Sequence, residues 1–433
     1  MHVLDPYAQR RFAIEVVEGL RSRGYEAYWA GGCVRNQLLG RTPKDYDVAT
    51  NARPEEIREV FGRKRTLALG AAFGVITVLG PKPAGQIEVA TFRRDMAYSD
   101  GRHPDAVAFT TPEGDAQRRD FTINGLFYDP LGEQVIDFVD GQRDLQARVL
   151  RAIGDARQRF TEDKLRMLRG VRFAAVYGFD LESATAAAIA EMAGEITVVS
   201  VERIAAELRM MLCGPGRVRA VELLRELNLL SVLLPEVTAG GDQISGGPSI
   251  AWQRTLAAPG RLEQPTFPLA LATLLALYVD GDGAEAIARR WKLPNAEIQR
   301  TVWLVENQSS LVDARRQAWP KLQALLISDG AGELISLHEA LHIGALQGDT
   351  GGNPAAASEQ ADLDFCRLMY RQPAGVLDPP PLLTGDDLVR HQVPRGRIYQ
   401  ELLGAVRAAQ LEQQIHSREA ALALIDRLLI DVK

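Results

Sequence analysis

The spacing of apolar positions changes near residue 157, and that change predicts an α+β fold: a small N-terminal sheet domain followed by helices. Residues 7–21 carry the three-and-four spacing of an amphipathic helix. Four short runs, 26–30, 46–49, 74–79 and 86–91, are rich in β-branched or aromatic residues and lie between Gly, Pro or Asp breakers. They predict strands able to share one sheet. Beyond 157, apolar spacings of three and four recur over 163–177, 184–192, 201–211 and 217–227, and the remainder is expected to stay helical. Gly and Pro gather at 235–248, 348–354 and 372–381, where loops or domain boundaries are expected.

A chain of 433 residues exceeds what one hydrophobic core usually supports, so two to four packed units are expected. Helical and strand signals alternate over about the first 130 residues, and the expected divisions are 1–135 for the sheet domain, then helical segments over 136–237, 238–345 and 346–433. Hydrophobic residues at 46% and charged residues at 24% exclude a disordered or fibrous chain. The three cysteines, Cys33, Cys213 and Cys366, are too scattered for a disulfide framework or a zinc site and read as free thiols of a reducing compartment. The longest apolar run, 267–279, contains Pro268 and Thr273 and falls short of the roughly 20 residues that cross a bilayer. With no signal-peptide apolar region at the N-terminus, a cytoplasmic location and no membrane partner are expected.

A net charge of −6 argues against a generic nucleic-acid coat, but the charge is unevenly distributed. Arg148, Arg151, Arg157, Arg159, Lys164, Arg166, Arg169 and Arg172 face only Asp155, Glu162 and Asp163 over the same stretch, a candidate anion-binding face.

The strongest local signal lies earlier. After the strand at 26–30, Gly31-Gly32 permits close backbone approach to a triphosphate, and the following helix points its positive end the same way, with Arg35 one turn in. Asp45 and Asp47 then stand two apart, so on a strand both carboxylates leave one face and can ligate adjacent metal ions. Hard oxygen ligands suit Mg2+, and two such ions about 4 Å apart would serve nucleotidyl transfer. A third carboxylate is usual in such sites, and Glu88, on the strand at 86–91, is the candidate that a neighbouring strand could deliver. Taken separately, Gly-Gly is an ordinary turn and Asp-x-Asp a solvated strand end; the combination at this spacing is what points to chemistry.

The run 31–50 resembles motif A of the class II tRNA nucleotidyltransferases and bacterial poly(A) polymerases, within the DNA polymerase beta-like superfamily. Residues 88–93 and 98–104 resemble the segment holding that family's third carboxylate and its flexible loop. Arg118-Arg119-Asp120 followed by Asn124 resembles motif B, which handles the ribose 2′-hydroxyl; 137–154 resembles the hinge, motif C; and 201–208, beginning Val201-Glu202-Arg203, resembles motif E. Residues 382–388 and 409–411 resemble the tail that grips tRNA. The resemblance implies a head, neck, body and tail, Mg2+ as cofactor, and ATP, CTP and a tRNA 3′ end as substrates.

Glu162-Asp163-Lys164-Leu165-Arg166 matches the family's motif D. On a helix, Asp163 and Arg166 share a face, so one carboxylate and one guanidinium can meet a base edge together. Cytosine and adenine both offer an amino donor beside a ring-nitrogen acceptor. Uracil and guanine invert both contacts, leaving buried polar groups unpaired at about 1 to 3 kcal/mol each. The same charges, read without the resemblance, are solvated residues of a helix start.

Two departures stand out: Asn36 where the family usually has Asp, and Gly125-Leu126 where it has Ala-Met. His338-Glu339-Ala340-Leu341-His342 matches the zinc-protease pattern, but no third ligand follows at a standard spacing, and Leu334, Leu337 and Leu341 mark an ordinary amphipathic helix. The expected function is addition of C, C and A to tRNA. Partial A-only or CC-only addition, poly(A) synthesis and a non-catalytic RNA-binding protein remain open at this point.

Overall fold

The computed structural model describes residues 5–95, 107–239, 250–342 and 354–431, and the chain forms two compact units, Met1–Ala239 and Gly240–Lys433. In the first unit, helix α1 (Pro6–Arg21) starts where the Asp5 carboxylate accepts the Tyr7 N–H and Pro6 presets the backbone. There follow β1 (Ala27–Ala30), α2 (Gly32–Leu38), β2 (Asp47–Thr50), α3 (Pro54–Phe61), β3 (Thr66–Gly70), β4 (Val75–Leu79) and β5 (Gln86–Thr91). Next come the paired β6 (Arg93–Asp95) and β7 (Val107–Phe109), then α4 (Pro112–Gln117), β8 (Phe127–Asp129) and β9 (Gln134–Ile136).

Seven of these strands form one sheet in the order β3-β4-β5-β2-β1-β8-β9, with β2 and β5 parallel and the other neighbours antiparallel. Alternation along the strands gives the sheet two characters. Trp29, Val48, Val89 and Ile76 are register neighbours, fully buried, on the face covered by α1, whose Ala13 carbonyl accepts the Trp29 indole N–H. One residue along, Asp47, Glu88 and Thr77 form a register row on the opposite face.

The helical part of this unit runs through α5 (Gly141–Ala147), the short β10 (Val149–Leu150), α6 (Ala156–Glu162), α7 (Leu165–Tyr177), β11 (Asp180–Leu181), α8 (Ser183–Met192), α9 (Val201–Leu212), α10 (Arg217–Glu226), α11 (Leu229–Leu233) and α12 (Pro235–Ala239). Helix α7 is its axis, packing against α9 and α10 and ending at left-handed Gly178.

The second unit contains no strand among its described residues. Its helices are α13 (Ile250–Arg261), α14 (Phe267–Leu275), α15 (Gly281–Arg290), α16 (Asn295–Glu306), α17 (Trp319–Leu326), α18 (Ala331–His342), α19 (Pro354–Tyr370), α20 (Ala374–Leu377), α21 (Gly385–Arg390), α22 (Ile398–Leu411) and α23 (Arg418–Asp431). The apolar run noted above becomes α14, buried at every position against α13, α16 and α18, and no described helix is long and apolar enough to cross a membrane. A separate core of Leu388, Leu402, Val406, Ala421 and Ile425 joins α21, α22 and α23.

Three expectations change. Strand β2 opens at Asp47 rather than 46, which leaves Asp45 in a bend outside it. Helix α7 starts at Leu165 rather than 163, because Asp163 takes an extended backbone with φ −146° between α6 and α7. Strands β3, β8 and β9 of the sheet were not anticipated: β8 and β9, at three residues each, are too short to show a period, and β9 reaches one residue past the expected division at 135. The zinc-protease pattern lies on α18, where His338 is buried with Nδ1 3.3 Å from the Gln308 carbonyl oxygen. The expected flexible loop at 98–104 lies outside the described residues.

Candidate active site

The turn between β1 and α2 brings backbone close to a cleft. Gly31 adopts φ 71° and ψ −123°, a conformation that side chains rarely tolerate, and a Cβ there would lie 2.8 Å from Arg119 Nη1. Its N–H donates to the Leu126 carbonyl at 3.1 Å, tying the turn to the start of β8. Gly32 opens α2, a helix of seven residues. Cys33 behind it is buried, and burial pushes its thiol up to about 11, so it stays protonated and inert.

Arg35 is also buried, its guanidinium bonded to the Asn124 amide oxygen and stacked over Phe173 and Tyr177 at 5.0 and 4.6 Å. Asn36, the position where a family Asp was expected, uses its one amide oxygen three times: for Arg35 Nε at 3.3 Å, Arg35 Nη2 at 3.2 Å and the Tyr177 hydroxyl at 3.0 Å. It therefore orients Arg35 without neutralising it.

Asp47 and Glu88 are direct register partners on the parallel strands β2 and β5. Burial, the Glu88 charge and the Asp45 charge together push the Asp47 carboxyl up to about 6, against an opposing pull from Arg119. Exposed Asp45 sits in the bend before β2, so strand alternation does not aim it with Asp47. Among the described residues, no group of three or more His, Cys, Asp or Glu side chains is arranged to hold a metal ion. The donors nevertheless fit a hard cation, because two adjacent carboxylates repel and a divalent ion relieves that repulsion.

The cleft itself measures about 530 Å³ and is lined by seven arginines: Arg35, Arg118, Arg119, Arg166, Arg169, Arg172 and Arg203. Asp47, Asp120 and Asp163 share the lining with Gly31, Gly32, Asn124, Leu165 and Phe173, whereas Asp45 and Glu88 lie outside it. Partners fix the direction of the arginines around it. Asp120 takes Arg169 Nε and Nη2 at 2.9 and 2.6 Å on one oxygen, and the Asn124 amide and Phe121 N–H on the other. Burial alone would raise the Asp120 carboxyl, but the Arg169 charge and the hydrogen bonds from Asn124 and Arg169 outweigh it and hold it far below the usual carboxylate range. Glu207 on α9 takes Arg172 at 2.6 Å.

Asp163 and Arg166 both reach the cleft, though not as neighbours on one helix face. Asp163 caps α7 through Leu165 N–H at 3.1 Å and pairs with Arg203 at 2.8 Å. Arg166, in the first turn of α7, bonds Glu162 at 2.5 Å and the carbonyls of Arg159 and Arg118 at 3.0 and 3.2 Å. The break between α6 and α7, not helical spacing, brings the two to the same cavity.

Sequence reasoning named motif E but singled out neither Arg203 nor Glu207, and it missed Phe173 and Asp115. Phe173 lies beneath three guanidiniums, those of Arg35, Arg169 and Arg172, at 5.0, 5.3 and 4.2 Å. The signal was available, since Arg169 and Arg172 precede Phe173 by four and one on a helix. Asp115 pairs with Arg118 and Arg119 at local spacings of three and four that were equally readable.

Residues 27–151 match the poly A polymerase head domain, and residues 178–240 match the probable RNA and SrmB-binding site of polymerase A. The CCA-adding enzyme of Geobacillus stearothermophilus is 34% identical over 327 residues, which cover 75% of this chain and 76% of that protein. The CCA-adding enzyme of Geobacillus kaustophilus is 31% identical over 411 residues, 94% of each chain. Among solved structures, the Bacillus stearothermophilus CCA-adding enzyme in complex with CTP superposes with a TM-score of 0.73 at 27% identity, over 98% of both chains.

The Asp120–Arg169 pair gives a pH signature. Because the folded carboxyl titrates below its unfolded value of about 3.9, its contribution is present above that pH and is lost as pH falls. Asp120→Asn is expected to cost about 3 kcal/mol at pH 7, the low end for a broken buried pair, since Arg169 is partly exposed. Urea midpoints measured from pH 7 to pH 3 should show the gap to the wild type closing on acidification; a constant gap would contradict the assignment.

Proposed function

We propose that this chain, which belongs to the CCA-adding enzyme family of nucleotidyltransferases, completes the tRNA 3′ end by adding C, C and A from CTP and ATP with release of pyrophosphate. The observation that carries this reading is the one cleft in which Asp47, a Gly-Gly turn and six arginines meet the Asp163 and Arg166 side chains.

Nucleotidyltransferases of this family generally use divalent metals. We assign Mg2+ to Asp45 and Asp47, with Glu88 as the third carboxylate; the metal would lower the pKa of the attacking hydroxyl and neutralise phosphate charge. The register pairing of Asp47 with Glu88 supports that choice. Backbone at Gly31 and Gly32 is open to a triphosphate, and Arg35, Arg118, Arg119, Arg169 and Arg172 supply positive charge for it. Asp120 is assigned to the ribose 2′-hydroxyl, as the resemblance of Arg118-Arg119-Asp120 to motif B implies, with the Asn124 amide bonded to the Asp120 carboxylate at 2.9 Å.

Nucleotide choice falls to Asp163 and Arg166. Arg203 and the Leu165 N–H each occupy one oxygen of Asp163, which orients its remaining lone pairs. A carboxylate so held accepts from the amino group of C or A, while Arg166 donates to the ring nitrogen; U and G would face both groups with the wrong polarity. By this reading 1–135 forms the metal and triphosphate head, 136–237 the nucleotide-selecting neck, 238–345 the body and 346–433 an RNA-binding tail, all working in the cytoplasm.

The deciding experiment incubates the protein with Mg2+ and tRNA transcripts ending before CCA, after C or after CC, given ATP, CTP or both. All three should finish at CCA and stop. Extension of the CC-ended transcript alone would make the protein an A-adding partner of another enzyme, and a long adenosine ladder would make it a poly(A) polymerase.

Two substitutions test the residue roles. Asp47→Ala should lose at least about 3 kcal/mol of transition-state stabilisation, roughly a hundredfold in kcat/KM, with folding retained by circular dichroism; near-normal turnover would refute the metal assignment. In Asp163→Ala, misincorporation of U and G should rise in single-nucleotide extension assays, and unchanged selectivity would count against the base-edge role.

A further inference from the structure

Arg118 and Arg119 are adjacent in sequence and both line the cleft, so their like charges would drive the two guanidiniums apart unless something held them. One buried carboxylate does so. Asp115, on α4 and 1% exposed, takes Arg118 on Oδ1, from Nε and Nη2 at 2.9 Å each. Its Oδ2 takes Arg119, from Nε at 3.2 Å and Nη2 at 2.9 Å. The Arg93 backbone N–H, at the start of β6, adds a further donor to Oδ1 at 3.2 Å.

Asp115 divides its two oxygens between two guanidiniums, Oδ1 for Arg118 and Oδ2 for Arg119, whereas Glu162 takes Arg159 and Arg166 on a single oxygen. The clamped pair borders the Gly-Gly turn, because Arg119 Nη1 bonds the Asn124 carbonyl at 3.2 Å and lies 2.8 Å from where a Gly31 Cβ would be. Asp115 itself does not line the cleft.

We propose that Asp115 is a positioning residue for the nucleotide's phosphates: it clamps Arg118 and Arg119 side by side so that both guanidiniums are held at the cleft beside the Gly31 turn. This rests on the reading of the cleft as a nucleoside triphosphate site. Asp115 acts through the two arginines and touches no reacting atom. It serves the phosphates common to all nucleotides, so its loss acts on CTP and ATP alike and leaves base choice to Asp163 and Arg166.

The test compares Asp115→Asn, Asp115→Glu and Arg119→Ala in the full chain, measuring KM and kcat for CTP and ATP and the stoichiometry of CTP binding by calorimetry. For Asp115→Asn, KM should rise for both nucleotides by the same factor, on the order of tenfold, with kcat changed far less and one CTP still bound per chain. Asp115→Glu should recover part of the loss, because its longer carboxylate still reaches both arginines. A fall in kcat and in binding stoichiometry with KM unchanged would mean that Asp115 only supports folding, and the proposal would be overturned. If Arg119→Ala raises KM and Asp115→Asn does not, the clamp is refuted while the cleft stands. If neither raises KM, the triphosphate reading of the cleft fails and the clamp with it.

Discussion

Seven guanidiniums around a cleft of about 530 Å³ repel one another, and the first unit is organised around overcoming that repulsion. Carboxylates stand among and behind them: Asp115 from α4, Asp120 just after it, Glu162 at the end of α6 and Glu207 from α9. Because these come from separate elements, the elements that carry them must meet at the cleft for the charges to balance. Phe173 supplies the apolar floor, its ring shared by three of the arginines and packed edge-on to Phe121 at 5.9 Å. Electrostatics and packing are therefore one arrangement, in which the ion pairs direct the forks and the ring sets their depth.

How much of this was readable in the sequence follows from distance along the chain. Strands such as Gln86–Thr91 announced themselves through β-branched residues and flanking Gly and Pro, and the alternation that placed Glu88 on a neighbouring strand beside Asp47 is realised in their register. Helix α7 was readable as a helix but not in its start. The apolar period runs smoothly through Asp163, and nothing local announces that its carboxylate lies outside the helix, held by the Leu165 N–H and by Arg203 from α9. Likewise nothing local to Arg172 points to Glu207. Strands β8 and β9 were hidden for a different reason: three residues carry too little pattern, and the Asp129 carboxylate turning the chain through Leu131 and Gly132 N–H was the only local mark.

Asn36 shows how a departure from a family pattern can be absorbed. An Asp there would neutralise Arg35; the amide keeps the orientation, through the same contacts to Arg35 and Tyr177, and leaves the charge in the cleft. The Asp163 break is absorbed in a comparable way, since the carboxylate that leaves the helix is returned to the cavity by its cap and its ion pair.

The parallel pairing of β2 with β5 also has a kinetic meaning. Asp47 and Glu88 stand far apart in the chain and become neighbours only when it closes back on itself across α3, β3 and β4, a non-local contact that carries a loop-closure cost. A partly unfolded chain thus keeps Glu88 away from Asp47. Any ligand that bound only with the two carboxylates side by side would stabilise the completed sheet over every less complete state.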